Sequence, residues 1–192
     1  MTDSYISELQ KPDPSALIQL YELELVEGTH YATGNPDNVT TTYCWHSGMT
    51  AAGAGSIVFN SKTYTPMPIE AEGFDQKSGQ NDAIPRPVLR VSNLLSTIST
   101  ILIEVNKITP GNDLLNAKLT RIETLAMFLD GESTANTSAT SRNQIFIVDR
   151  KSTENKEIVE FELSGIIDQP NLKLPKRQVL PRQFPGVGSF HE

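Results

Sequence analysis

Three consecutive residues, Cys44-Trp45-His46, set the only cysteine of the 192-residue chain beside one of its three histidines. A thiol nucleophile needs an imidazole in reach to form its thiolate, and usually a third group to orient the ring. On an extended strand residues i and i+2 share a face, so Cys44 and His46 are spaced to touch, and a cysteine hydrolase is the activity they would support. Two ligands do not make a zinc site unless His30, His191 or carboxylates converge on them, and nothing in the spacing brings these together. One cysteine also excludes an internal disulfide and any multi-cysteine centre within the chain. A small buried thiol beside a surface histidine is the plainer reading.

Two further patterns invite chemistry. Gly48 to Ser56, GMTAAGAGS, is glycine-rich, but a phosphate cradle needs a lysine after the glycines and a helix to follow. Here no lysine is present and a strand follows, so the segment reads as a flexible loop. Glu22, Glu24, Glu160 and Glu162 are the carboxylates that could pair as acid and base. Each alternates with apolar neighbours, which assigns all four to solvated outer strand faces. The expected catalytic, cofactor and metal sets are therefore all empty.

The elements that hold these residues are mostly strands. In IVEFEL, Ile158, Glu160 and Glu162 fall on one side of an extended chain and Val159, Phe161 and Leu163 on the other. The preceding QIFIV is β-branched and aromatic, hence a second strand. STEN, with Ser152 and Asn155, supplies the polar turn between them. Eight charged residues lie between Asp149 and Glu162. They then belong to a hairpin's turn and wet face rather than to a site.

Leu17 to Val26 is a strand, TTYCWHS another, and SIVFN with KTYTP a hairpin turning at Asn60-Ser61. PIEAEG, PVLRVS and AKLTRIETLAMFLD add further extended segments, the last one long or broken by a bend. One helix is expected over about 92–107, because Leu94, Leu95, Ile98, Ile101, Leu102 and Val105 recur at helical spacing. Ser92 or Asn93 would cap it and Pro110-Gly111 would end it. The polar loop GESTANTSATSRN, 131–143, is mobile or ordered by a partner.

The fold class is therefore mainly β, a barrel or sandwich with one prominent α-helix and extended terminal arms. Residues 1–15 form an N-terminal arm, 16–171 a β-rich domain, and 172–192 a basic C-terminal arm. Leu172 to Gly186 carries Lys173, Lys176, Arg177 and Arg182 and no acid, inside a chain of net charge −7. Prolines 175, 181 and 185 disfavour helix and keep it extended. Lys173, Lys176, Arg177, Val179, Arg182 and Phe184 are the candidate partner-interface residues.

Composition excludes several functions. No apolar run of about 18 residues is present to span a bilayer. The first residues, MTDSYISELQKPDPS, lack the basic and apolar regions of a secretory signal, so synthesis in a cytoplasm is expected. A negative balance argues against specific nucleic-acid binding and suits a surface past which DNA slides. One Trp and few clustered aromatics do not build a sugar-stacking surface.

Six phrases, in order, carry a resemblance: ALIQLYELEL, FNSKTYTPMPIEAEGFD, PRPVLRVSNL, TRIETLAMFLDG, IFIVDRKSTENKEIVEFELSG and LKLPKRQVLP. Together, over roughly Ser15 to Gln178, they resemble the minor tail protein L family of lambda-like tailed bacteriophages. The resemblance implies a structural component of the virion tail tip, or baseplate hub, made in the host cytoplasm. It implies a homotrimer around the DNA channel, between the distal tail protein and the central fibre or spike protein. The tape measure protein is a further candidate partner, and no membrane insertion is expected. The competing class is a tail-associated cysteine hydrolase acting on the host cell wall through Cys44 and His46. In many members the segment resembling LKLPKRQVLP runs into a cysteine-rich module that binds an iron–sulfur cluster. Here RQFPGVGSFHE follows instead, so the expectation is a chain without that cluster.

Overall fold

The computed structural model describes residues 3–34, 40–47, 55–74, 86–94, 96–168, 180, 184 and 186. It is mainly β, with nine strands in one mixed sheet that does not close into a barrel. In chain order the elements are α1 (Asp3–Leu9), β1 (Leu17–Glu24), β2 (Thr42–His46), β3 (Ile57–Phe59), β4 (Lys62–Pro66), β5 (Ile69–Glu72) and β6 (Val88–Ser92). Then follow α2 (Thr97–Ile108), β7 (Lys118–Leu125), β8 (Gln144–Glu154) and β9 (Ile158–Gly165). The sheet order is β3-β4-β2-β1-β7-β8-β9-β6-β5. Every pairing is antiparallel except β2 with β4.

Register assigns side chains to faces. Tyr21 stands opposite Trp45 and Arg121, and Leu23 opposite Tyr43 and Leu119. Farther along, Phe161 stands opposite Leu89 and Val159 opposite Val91. These residues line one face, and α2 lies over them, burying Ile98, Ile101, Leu102 and Val105 in the main core. Fully burying such a side chain contributes about 1.5–3 kcal/mol each, so this stripe is what holds the helix to the sheet.

The other face is covered over only part of its width. Ile18 and Leu20 of β1 and Ile122 of β7 pack with Ile57, Phe59 and Tyr64 of the β3–β4 hairpin, forming a second core. The hairpin turns at Asn60 and Ser61, both at positive φ (52° and 61°), the backbone that a tight two-residue connection requires. Beyond β7 this face is more open: Ile145, Glu70 and Glu72 are exposed there and Arg90, Glu160 and Glu162 half-buried, while Ser164 is buried.

Two expectations are corrected in detail. The helix begins at Thr97, not near residue 92, and Leu94 lies before it with 74% of its surface exposed. Asn93 nevertheless caps it from a distance. Its Oδ1 accepts from Ser99 N at 3.3 Å, and its Nδ2 donates to Ser99 Oγ at 2.9 Å and to the Asn155 carbonyl at 3.0 Å. One amide thus joins the end of β6, the first turn of α2 and the β8–β9 turn. At the other end the chain leaves the helix through Gly111, at φ 77°.

The loop over 131–143 is tied down within the chain. Thr134 Oγ1 donates to the Met127 carbonyl at 2.6 Å, Asn136 N to Phe128 at 3.1 Å, and Thr124 Oγ1 to Ala139 at 2.9 Å. Ala139 packs with Leu125, Phe128 and Tyr5, a small core that docks α1. The bend after β7 is a 3-10 turn, Ala126–Phe128.

Candidate functional site

The strongest chemical cluster sits under the β3–β4 hairpin and is built around Glu22. Alternation assigned this carboxylate to solvent, whereas it is buried, because the hairpin crosses the second face of β1 above it. A buried carboxylate must be paired or neutral. Tyr64, itself wholly buried, donates its phenol hydrogen to Glu22 Oε1, and Lys62 Nζ donates to Oε2 at 2.8 Å. Burial and the bond to Glu22 push the Tyr64 phenol far above its ordinary range, so it stays a donor. Hydrogen bonding to Glu22 likewise raises Lys62, opposed by its own desolvation.

Cys44 stands directly opposite Glu22 in the β1–β2 register and packs beside the second core. Burial, and then the Glu22 carboxylate, push its thiol above the usual value, a setting opposite to the one that makes a thiolate. His46, expected at the surface, is fully buried, with Nε2 3.0 Å from the Gly55 carbonyl. The two residues do share a face of β2, and beside the thiol Glu22, Tyr64 and Lys62 join in one hydrogen-bonded network. Glycine-rich residues 48–54 lie outside the described residues.

His30 is also a structural group. Val26 N–H, which can only donate, points at Nδ1 at 2.8 Å, so Nδ1 carries no proton. The ring is therefore neutral, with Nε2–H donating to the Leu115 carbonyl at 2.9 Å. It clips the loop after β1 to the loop before β7, and desolvation depresses its pKa. Among the described residues, no group of three or more His, Cys, Asp or Glu is arranged to hold a metal ion. None of the described helices is long and apolar enough to cross a membrane.

Past two register shifts in β8, Lys151 and Glu154 turn to the helix side, where they meet Asp113 and Ser99 at 3.0 Å each, while Glu160 and Glu162 lie where alternation put them, on the wet face. There they form cross-strand ladders. Arg90 Nε meets Glu160 at 2.7 Å, and its Nη1 lies 3.3 Å from Glu70 and 3.2 Å from Glu72. Arg150 meets Glu162 at 2.8 Å, and Ser152 donates to the same carboxylate oxygen at 2.8 Å. Solvent screens such exposed pairs, so they set the character of a surface more than the stability of the fold. Sequence reading missed how these carboxylates cluster, since only the register brings Glu70, Glu72 and Glu160 to one guanidinium.

Of the candidate interface residues, Lys173, Lys176, Arg177, Val179 and Arg182 lie outside the described residues. Phe184 is exposed, and its N–H donates to the Leu180 carbonyl at 2.9 Å. Asp168, where the described domain ends, is held by Arg86 through Nε and Nη2 at 3.1 and 2.8 Å.

Among known proteins, the family model for phage minor tail protein L matches residues 37–185. A chain in the structure titled "Virion of native gene transfer agent (GTA) particle" superposes with a TM-score of 0.49 at 13% identity. The superposition covers 90% of this chain and 48% of that one, so this chain spans about half the length of its structural neighbour.

Proposed function

Because the chain belongs to the phage minor tail protein L family, we propose that it is a structural subunit of the tail tip, the hub joining the distal tail ring to the central fibre or spike. Its family makes it a phage tail protein, and the family match over residues 37–185, from before β2 into the basic arm, is the observation that carries the finer reading. In this reading three copies surround the DNA channel, and the domain of residues 16–171 forms the wall. The basic arm, 172–192, crosses to a neighbouring copy, where Val179 and Phe184 dock and Lys173, Lys176, Arg177 and Arg182 pair with acidic surface. DNA passes without specific binding, since each cation on a phosphate would add salt-sensitive affinity and slow ejection. The raised thiol of Cys44 and the hydrogen-bonded network around Glu22 support a structural role over the hydrolase alternative.

Quantitative mass spectrometry of purified virions tests this reading. It predicts about three copies of the chain for each tail tip. Virions that lack the chain would refute the tail role, and six copies would refute the trimer.

A further inference from the structure

The second face of the sheet is half covered. The β3–β4 hairpin occupies it over β1, β2 and β7, whereas over β9, β6 and β5 it presents Glu160, Glu162, Glu70 and Glu72. One guanidinium, Arg90, is shared by three of these carboxylates, and Arg150 serves the fourth, so the ladders remain acid-rich. Glu70 and Glu72 keep 64% and 57% of their side-chain surface exposed on β5, a strand at the end of the sheet order. Beside them lies an open groove of about 610 Å³, lined by Pro68, Ile69, Val91, Leu94 and Ile158 among others. Leu94 and Ile158 are exposed at 74% and 41%. The surface thus combines a row of carboxylates, a strand edge that no other described strand pairs with, and an apolar trough.

The sequence holds one segment of complementary chemistry. Leu172 to Gly186 carries four cations, no acid and the apolar residues Leu172, Leu174, Val179 and Phe184. We propose that the open half-face from β9 to β5 is the acceptor for this arm from a neighbouring copy. Its cations pair with Glu70, Glu72 and Glu160, and its apolar side chains fill the groove beside Leu94 and Ile158. The inference rests on the reading above that the arm crosses between copies, and it names the surface on which the arm lands. An arm-to-face contact of this kind is heterologous, and around a threefold axis it closes with every arm and every acceptor used. The arm sets out from Asp168, which Arg86 anchors just before β6. A fully extended run of 15 residues reaches about 50 Å, enough to leave its own domain.

The test complements phage lacking the gene with full-length variants and measures the chain in purified tails. Glu70→Lys with Glu72→Lys is expected to lower incorporation by about tenfold or more, and reversing Lys173, Lys176, Arg177 and Arg182 to Glu is expected to do the same. Combining both sets should restore incorporation to within about twofold of the parent. A β5 variant that enters tails normally, beside an arm variant that does not, overturns the acceptor and leaves the arm reading standing. Normal entry of both overturns the two together. Loss in both without mutual rescue assigns the face to another partner and also overturns the proposal. Carbodiimide linkage in unmutated tails that mix light and heavy isotope copies removes the dependence on variant folding. Lys173 or Lys176 should join Glu70, Glu72 or Glu160 in mixed-isotope peptides, whereas links to other surfaces, links only within one copy, or none overturn it.

Discussion

Tyr64 of β4 donates its phenol hydrogen to Glu22 of β1, a bond that runs from the hairpin to the sheet beneath it. Because Tyr64 is wholly buried and Glu22 nearly so, this bond and the Lys62 contact are what allow a carboxylate to sit under the hairpin.

Tyr64→Phe removes the donor and leaves a buried carboxylate oxygen unsatisfied. It should destabilise the fold by about 1.5–3 kcal/mol. Lys62→Ala acts on a side chain 43% exposed, where solvent screens the pair, and should cost about 0–1 kcal/mol. Equilibrium urea unfolding measures both. A larger loss for Lys62→Ala than for Tyr64→Phe would invert the account of what holds the hairpin.

His30 should make the fold sensitive to mild acid. Its folded pKa is depressed by burial, so the neutral ring contributes stability that is full above the unfolded value, about 6.5, and is lost as pH falls through the folded value. Protonation at Nδ1 would also set a donor against Val26 N–H. Unfolding near pH 6 should therefore take up part of a proton that the His30→Asn variant does not take up. Identical pH profiles for the two proteins would remove this role.

Cys44 should be sluggish. Native protein is expected to react with a disulfide reagent at pH 8 more slowly than unfolded protein does, since burial and Glu22 hold the thiol protonated. Phage carrying Cys44→Ala should infect at the parental level. Faster native reaction together with loss of infection would revive the hydrolase.

Truncation after Asn171 should leave a folded domain that fails to enter tails. The last described strand ends at Gly165, and the chain is fixed to the domain again at Asp168, so all the described helices and strands precede the arm. Melting measured by circular dichroism should match the full chain. Efficient incorporation of the truncated protein into infectious particles would make the arm dispensable.

How far the sequence could be read depended on whether a feature was local. IVEFEL alternates because each residue answers to its own strand, and Val159, Phe161 and Leu163 are buried as that pattern requires. Asn60-Ser61 turns because the backbone there takes positive φ. Glu22 shows the same alternation and is buried all the same. What covers it is a hairpin some forty residues away, and no period within β1 reports a cover from outside. His46 was misassigned for the same reason, since its ring meets the carbonyl of Gly55, outside its own strand. The helix start was missed because Leu94 continues the apolar spacing, although Asn93 caps Ser99 and leaves Leu94 outside. The acidic ladder needed the β5–β6–β9 register, which the sequence does not state.

An image of the virion tail tip at side-chain resolution tests the central claim most directly. The account predicts three copies of this nine-stranded domain around the axis, between the distal ring and the central fibre or spike, each with its basic arm on the next copy. Density for the tip that accommodates no copy of the domain, or copies placed only elsewhere on the virion, would contradict it.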